Sequence, residues 1–398
     1  MDDPLIRHRP EFPILDRCTY LVSHSLGAMP RGAGEGLARY AREWEERGVR
    51  AWSEGWWELP IQLGDRVGRL LGAPAGSVAM QPNVTLATAI FLSCLDFDGG
   101  RRRLVTDALN FPSLLYLFRQ WGALGTGVEP VVVPSRDGRS IDPETLLAAI
   151  DERTRVVAIS HVLFRSSFVQ DVPRIVARAH EAGALVLLDV YQSAGILPID
   201  LTALDVDGAV GGCLKWLCGG PGVAFLYVRP DRARELEPRL TGWQAHADPF
   251  AFAPELERTE GAARFLHGTP AIPALRAAEA GLDRVEEAGI EAIRNKSLRQ
   301  AGRIIDRANE EGWAIGSPRD PERRGGVVSI QPPHAYEVSR ALLARDIVID
   351  YRPEGGIRIG PHFYNTDAEI DAALDAIAEI LRTEDWRAFE GKPRDQVT

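Results

Sequence analysis

The chain has 398 residues, 45% hydrophobic and 26% charged, with a formal net charge of −10, the profile of a water-soluble globular protein too long for one ordinary core, so two domains are expected. The acidic balance excludes a nucleic-acid surface, which needs clustered Lys and Arg, and no uninterrupted apolar run is long enough to span a membrane. Met1-Asp-Asp-Pro lacks the basic and apolar regions of a signal peptide, so the expected location is the cytoplasm.

Cys18, Cys94, Cys213 and Cys218 show no metal-binding spacing and read as structural thiols of a reducing compartment, with no metal. The chain is irregular up to Ser25-Leu-Gly27, where a turn before Pro30 could place backbone amides near an anion. A helix is expected from about 33 to 46. Trp52-Ser-Glu-Gly-Trp56-Trp57 then suits either a pocket wall or a subunit interface. Helical periodicity over 63–71 ends at Gly72, and a short strand at 77–81 leads into Pro82-Asn-Val84-Thr85, the start of a helix reaching about Cys94. Free amides and the helix dipole at such a junction favour a phosphate; Thr85 suits a plain cap as well.

The arginines at 101–103 read as a solvated approach to the strand ending at Asp107. Asn110-Phe111-Pro112-Ser113 opens a helix through Trp121, with Phe111 projecting either to stack on a flat ring or to pack in the core. A strand at 127–134, a helix opened by Asp142-Pro143, a strand at 156–161 ending in Ser160-His161, and a helix at 172–182 closed by Gly183 continue the rhythm. Strands alternating with helices over 75–230 define a mostly parallel sheet with helices on both faces.

The apolar run 184–189 ends in Asp189 and is followed by Gln192-Ser-Ala-Gly195. An acid at the carboxyl end of a buried parallel strand sits where open α/β sheets bind ligands. A second apolar run, 207–214, delivers Lys215, and glycines at 219, 220 and 222 let the backbone pass close to something bulky. An acid and a lysine converging on one crevice suit pyridoxal phosphate (PLP). The amine forms a Schiff base with its aldehyde and the carboxylate pairs with the protonated ring nitrogen. A plain ion pair is the competing reading.

After a strand at 223–228 the rhythm changes. Loops carry Trp243, His267 and Thr269, a long helical region is expected over about 272–309, and strands follow at 327–331, 347–351 and 356–361 before a helix at 367–383. Arg358 stands in an apolar strand, either in an ion pair or as the bidentate partner of a substrate carboxylate. The expected division is 1–60, an N-terminal segment packing with the small domain; 61–255, a large PLP-binding domain; 256–390, a small C-terminal domain; and 391–398, a frayed tail.

Taken together, Asn110-Phe-Pro-Ser113, Asp189 with Ser193-Ala-Gly195 and Pro198-Ile-Asp200, and Lys215 with Gly219-Gly-Pro-Gly222 resemble the class V aminotransferase group of fold-type I PLP enzymes, and within it kynureninase. The resemblance implies an α/β fold-type I architecture: a large domain with a mostly parallel central sheet flanked by helices, plus a smaller α+β C-terminal domain. It implies that Lys215 carries the cofactor, Asp189 pairs with its ring nitrogen and Phe111 stacks on it. Val84 (through its backbone), Thr85, Ser113, Ser160 and Gln192 become cofactor-contacting positions. Trp243 and Thr269 resemble residues that reach the phosphate from the neighbouring subunit, implying a homodimer with shared active sites. Arg358 and Ser25 would hold the substrate carboxylate, and Trp52, Trp56, Trp57 and His267 are candidates for the substrate wall.

Three positions depart from the kynureninase pattern: Leu114 stands where Asp is usual, Gln192 where His is usual, and Leu214 where Tyr precedes the lysine. A leucine neither donates a hydrogen bond nor moves a proton. Hydrolytic Cβ–Cγ cleavage of a kynurenine-type substrate, releasing alanine, therefore stands beside transamination, β-elimination or epimerisation of a different amino acid. A desulfurase lacks support, since no Cys lies near Arg358 to act as the mobile nucleophile. A catalytically silent ligand-sensing module disagrees with the retained Lys215.

Overall fold

The computed structural model describes residues 3–392, so the tail expected from 391 lies outside the described residues beyond that point. The N-terminal segment contains the short strand β1 (Thr19–Tyr20) and the helices α1 (Arg31–Arg47) and α2 (Leu59–Leu70). Strands and helices then alternate through β2 (Val78–Gln81), α3 (Val84–Ser93), β3 (Arg103–Asp107), α4 (Pro112–Trp121), β4 (Glu129–Val133) and α5 (Pro143–Ala148). The series continues through β5 (Thr154–Ser160), α6 (Val172–Glu181), β6 (Leu185–Asp189), β7 (Gly208–Gly212), β8 (Ala224–Val228) and a short α7 (Pro230–Glu235).

These strands form one seven-stranded sheet in the order β2-β8-β7-β6-β5-β3-β4. The run from β4 to β7 is parallel, and β8 is antiparallel to both of its neighbours. Because β4 lies outside β3 while β5 returns on its inner side, the strand order reverses at β3. A crevice opens beside such a reversal, at the carboxyl ends of the strands. Both faces are covered. Along β6, Leu185 and Leu187 pack with Phe91 of α3 and Phe118 of α4, while Val186 and Leu188 enter the opposite core with Ile175 of α6. A strand buried on both faces needs a continuous apolar run, and 184–188 supplies it.

The helical region expected over 272–309 consists of two helices, α8 (Ile272–Ala288) and α9 (Ile290–Glu310), because Gly289 between them leaves helical geometry at φ 78° and ψ 129°. Beyond them come β9 (Ala314–Ile315), β10 (Val328–Gln331), α10 (Ala335–Leu343), β11 (Ile347–Val348), β12 (Asp350–Arg352), β13 (Gly356–Ile359) and α11 (Asp367–Thr383). Strands β12-β13-β10-β9 form an antiparallel sheet, which shares a core with Ile304 of α9, Leu342 of α10 and Ile377 of α11. The single strand expected at 347–351 divides because its halves have different partners. β11 pairs in parallel with β1, and β12 joins β13. That pairing and a Phe12–Tyr364 ring contact at 4.4 Å tie the N-terminal segment to the C-terminal part. β1, α7, β9 and α10 are additional to the expected elements.

Candidate active site

Residues at the carboxyl ends of β5 and β6, with the segments after β2, β3 and β7, line one cavity of about 220 Å³. Eight of the expected residues line it together: Val84, Thr85, Phe111, Ser113, Ser160, Asp189, Gln192 and Lys215. Asn83, Val162, Phe164, Tyr191 and Leu214 complete the wall.

Asp189 ends β6 in register with Ser160 of β5. Its Oδ1 accepts the backbone N–H of Tyr191 at 2.8 Å. Burial pushes this carboxyl up to about 6, while the Tyr191 amide and the Lys215 charge pull the other way. Burial likewise pushes the Lys215 amine down, to about 8, against the attraction of Asp189. Near neutral pH the pair thus holds a carboxylate beside an amine that loses its proton more readily than a solvated lysine. Lys215 Nζ lies 4.6 Å from the centre of the Tyr191 ring and 5.5 Å from that of Phe111.

The lysine loop is fixed by long-range contacts. The Gly27 N–H donates to the Leu214 carbonyl at 2.9 Å. The fully buried Trp216 donates its indole N–H to the Gln192 carbonyl at 3.1 Å, and His362 Nε2 lies 2.7 Å from the Trp216 carbonyl. The amides of the Ser25-Leu-Gly27 turn, expected to face an anion, are instead consumed internally: Ser25 and Leu26 donate to the Val22 carbonyl, and Gly27 to Leu214. The glycines after the lysine also serve the chain itself, since Gly219 donates to the Cys213 carbonyl at 2.7 Å and packs on the Cys213 side chain.

The opposite end of the cavity is built for an anion. Asn83 caps α3, its side chain accepting the Leu86 N–H at 2.9 Å. Among the described residues the amides of Val84 and Thr85 have no partner within the chain. Such first-turn amides, with the helix dipole behind them, form an anion receptor. Asn110 braces the site from below. Its Oδ1 accepts from Ser160 Oγ at 3.0 Å and from the Phe111 N–H at 2.7 Å. Gln170 donates to the Ser160 carbonyl at 2.8 Å and to Asp107 at 3.2 Å. Asp107, raised to about 6 chiefly by burial, is a second buried acid behind Asp189. Asn110, Gln170 and Tyr191 were not among the expected site residues. Asn110 and Tyr191 lie within the motifs that pointed to the site, but Gln170 reaches it only through the tertiary fold. A lysine, a buried acid, an exposed aromatic face and free helix amides around one cavity fit a phosphorylated pyridine aldehyde.

Other expected residues lie elsewhere. Arg358, buried in β13, is bidentate to Asp350 and donates Nη1 to the Phe164 carbonyl at 2.5 Å, so three of its five N–H donors are engaged. The ion-pair reading describes its contacts, and only the Phe164 link joins it to the cavity wall. Ser25 is half-buried in its turn and outside the cavity lining. Trp243 stands in an exposed aromatic cluster, 5.0 Å from Trp57 and 5.4 Å from Phe250. Trp52 joins this cluster to Trp56. None of the three tryptophans from 52 to 57 lines the cavity. His267 and Thr269 line a separate, smaller cavity, with His267 Nε2 3.0 Å from Gln81 Oε1. Leu114, on α4, is buried in the core, whereas Leu214 lines the cavity. Arg101 and Arg103 are not simply solvated: Arg101 donates to the Thr154 and Ala182 carbonyls, and Arg103 pairs with Asp151. All four cysteines are free, and among the described residues no cluster could hold a metal and no helix is long and apolar enough to cross a membrane.

A family model described as Aminotransferase class-V matches residues 65–372. A kynureninase of Burkholderia pseudomallei (strain 1106a) is 36% identical over 411 aligned residues, covering 100% of this chain and 97% of the relative. A kynureninase of Pseudomonas fluorescens is 33% identical over 410, with the same coverage. Among solved structures, the chain is similar in fold to the apo cysteine desulfurase of Thermococcus onnurineus NA1, with TM-score 0.84, 21% identity and 96% and 99% of the two chains covered. It is also similar to a C-DES variant with glycine covalently linked to its PLP cofactor, with TM-score 0.85, 23% identity and 93% and 99% covered.

Proposed function

The chain belongs to the class V aminotransferase family and is a PLP-dependent enzyme, and we propose that it acts as a kynureninase-type hydrolase. In the proposed reaction, water cleaves the Cβ–Cγ bond of a kynurenine-type substrate to give alanine and an aromatic carboxylic acid. The observation that carries this reading is the meeting of Lys215 and Asp189 in one cavity of a chain that aligns end to end with kynureninases.

When bound, PLP supplies the electron sink that acidifies the substrate Cα–H and lets the acyl group depart. Lys215 holds the cofactor through its amine and, once released by the substrate, takes and returns the proton at Cα; its lowered pKa suits that base role. Asp189 keeps a negative charge against the ring nitrogen. The Val84 and Thr85 amides and the hydroxyls of Thr85, Ser113 and Ser160 bind the phosphate side, Phe111 covers the ring and Gln192 orients it. Arg358, with two N–H donors uncommitted, and Ser25 orient the substrate carboxylate. The exposed aromatic cluster supports a homodimer in which Trp243 and Thr269 of the partner subunit complete each site. The free thiols suit the cytoplasm. We assign residues 61–255 to the cofactor domain and 256–390 to the small domain, with 1–60 joining the small domain to the dimer interface.

Leu214 in the cavity wall, with no proton to give, favours a second reading: transamination, β-elimination or epimerisation of another amino acid. Incubating the enzyme with L-kynurenine or 3-hydroxykynurenine separates the readings. Anthranilate or its hydroxylated counterpart appearing in step with alanine supports hydrolysis, and Lys215→Ala should abolish both products along with the visible absorption band. A 2-oxo acid, or pyruvate with ammonia, in place of alanine would overturn the hydrolase assignment.

A further inference from the structure

Tyr191 lines the cavity without a role in the reading above, and its placement is specific. Its backbone N–H braces Asp189, while its half-buried ring extends along the wall to within 4.6 Å of the lysine amine. The ring is seated on bare backbone: a Cβ at Gly212 would stand 2.6 Å from Tyr191 Cζ and 2.7 Å from its hydroxyl. Side chains do not approach so closely, so β7 carries glycine where this ring lies. Phe111 reaches the same amine from another wall, its ring centre 5.5 Å away, and is 43% exposed toward the open cavity. No ring contact joins Phe111 to Tyr191 among the described residues; Phe111 packs edge-on against Phe164 instead. Two aromatic walls that share a lysine and do not touch leave a gap between them.

We propose that Tyr191, seated on Gly212, is a cofactor-binding residue that walls the gap from the side away from Phe111, so that the flat ring carried by Lys215 is held between two aromatic side chains. The inference rests on the PLP reading. The contribution is the ring rather than the phenolic proton, since burial and the neighbouring Cys213 and Asp189 keep the hydroxyl protonated far above neutral pH. Aromatic contacts stabilise beyond their buried area, and losing one wall should show in how fast the holoenzyme releases PLP.

The test follows PLP release from holoenzyme diluted into a scavenger of free aldehyde, together with the visible circular dichroism of the bound cofactor. Tyr191→Ala should release PLP about tenfold faster than wild type and lose most of the visible dichroism, while Tyr191→Phe stays within about twofold. Gly212→Ala should accelerate release in the wild-type background, where it displaces the ring. In Tyr191→Ala it should add little, an interaction that general loss of folding would not produce. Unchanged release in Tyr191→Ala, or a Tyr191→Phe variant as impaired as Tyr191→Ala, would sink the aromatic-wall assignment while leaving the cofactor reading intact. Absence of a Lys215-dependent visible band in wild type would overturn both.

Discussion

Gly27 and Gly34 lie seven residues apart and carry opposite consequences. A Cβ at Gly27 would stand 2.1 Å from the Lys215 carbonyl oxygen and 2.9 Å from Cys218 Cα, both backbone atoms of the lysine loop, whereas nothing lies within 4 Å of a Cβ at Gly34. Gly27→Ala must therefore push the loop that carries Lys215, an overpacking that costs about 1–3 kcal/mol. It should also lower PLP occupancy, because the displaced atoms belong to the loop of the lysine proposed to carry the cofactor. Gly34→Ala, inside α1, should stabilise by about 0.5–1 kcal/mol and leave occupancy unchanged. Urea denaturation with absorbance of the purified holoenzyme reads both, and equal effects of the two substitutions would refute the argument. At this scale Asp189 and Lys215 were legible in the sequence because each ends an apolar run, and strand ends point into the crevice. Gln170 was not, since its role depends on hydrogen bonds to Asp107, 63 positions away, as much as on those to nearby Ser160. Arg358 was legible only as a choice between two uses, since its partner Asp350 carries no signal of its own.

Helix α11 begins at a capping box. Thr366 Oγ1 accepts the Glu369 N–H at 3.2 Å, and the Glu369 carboxylate accepts the Thr366 N–H at 2.7 Å. The same carboxylate also receives Arg9 at 2.7 Å, which ties the N-terminal segment to this helix. Thr366→Ala should therefore cost about 1 kcal/mol, the usual worth of a cap. Glu369→Ala should cost more, since it removes the carboxylate partner of half-buried Arg9, leaving that cation only the Leu15 and Tyr364 carbonyls, as well as opening the cap. Denaturant titration of both variants checks the order, and a smaller loss for Glu369→Ala would contradict it. Because Thr-x-x-Glu ahead of an apolar run is a local signal, the expected helix at 367–383 coincides with α11. Elements set by distant partners were harder to read. The division of 347–351 into β11 and β12 follows from pairing with β1, more than 300 residues earlier, and no local pattern encodes it. Gly289 inside a helical pattern reads as a tolerated interruption until the backbone shows it at positive φ.

At the scale of the whole molecule, the buried titratable groups set the acid limit of stability. His24, His161 and His362 are buried, and burial pushes them down to about 4, 4 and 3. Their folded pKa values lie below the unfolded value near 6.5, so the unfolded chain takes up protons first as pH falls. The stability they protect is complete above about 6.5 and drains away toward 4. Asp107 and Asp189, raised to about 6 by burial, act in the opposite sense: the folded chain protonates first, and stability is regained between 6 and the unfolded carboxylate range near 4. Burial lowers His8 and His267 in the same sense as these three histidines, so the histidines outnumber the two raised carboxyls and the unfolded state binds more protons across that window. The apo-protein should therefore lose stability as pH falls from 6 to 4. In the proposed site, bound PLP would keep Asp189 ionised against its ring nitrogen and so remove one of the two compensating carboxyls. The slope for holoenzyme should then be steeper than that of the apo-protein, by up to about 1.4 kcal/mol per pH unit for the one carboxyl removed. Unfolding free energies from urea titrations at several pH values, with and without cofactor, measure both slopes. A holoenzyme slope no steeper than that of the apo-protein would mean that Asp189 is not the carboxylate facing the ring.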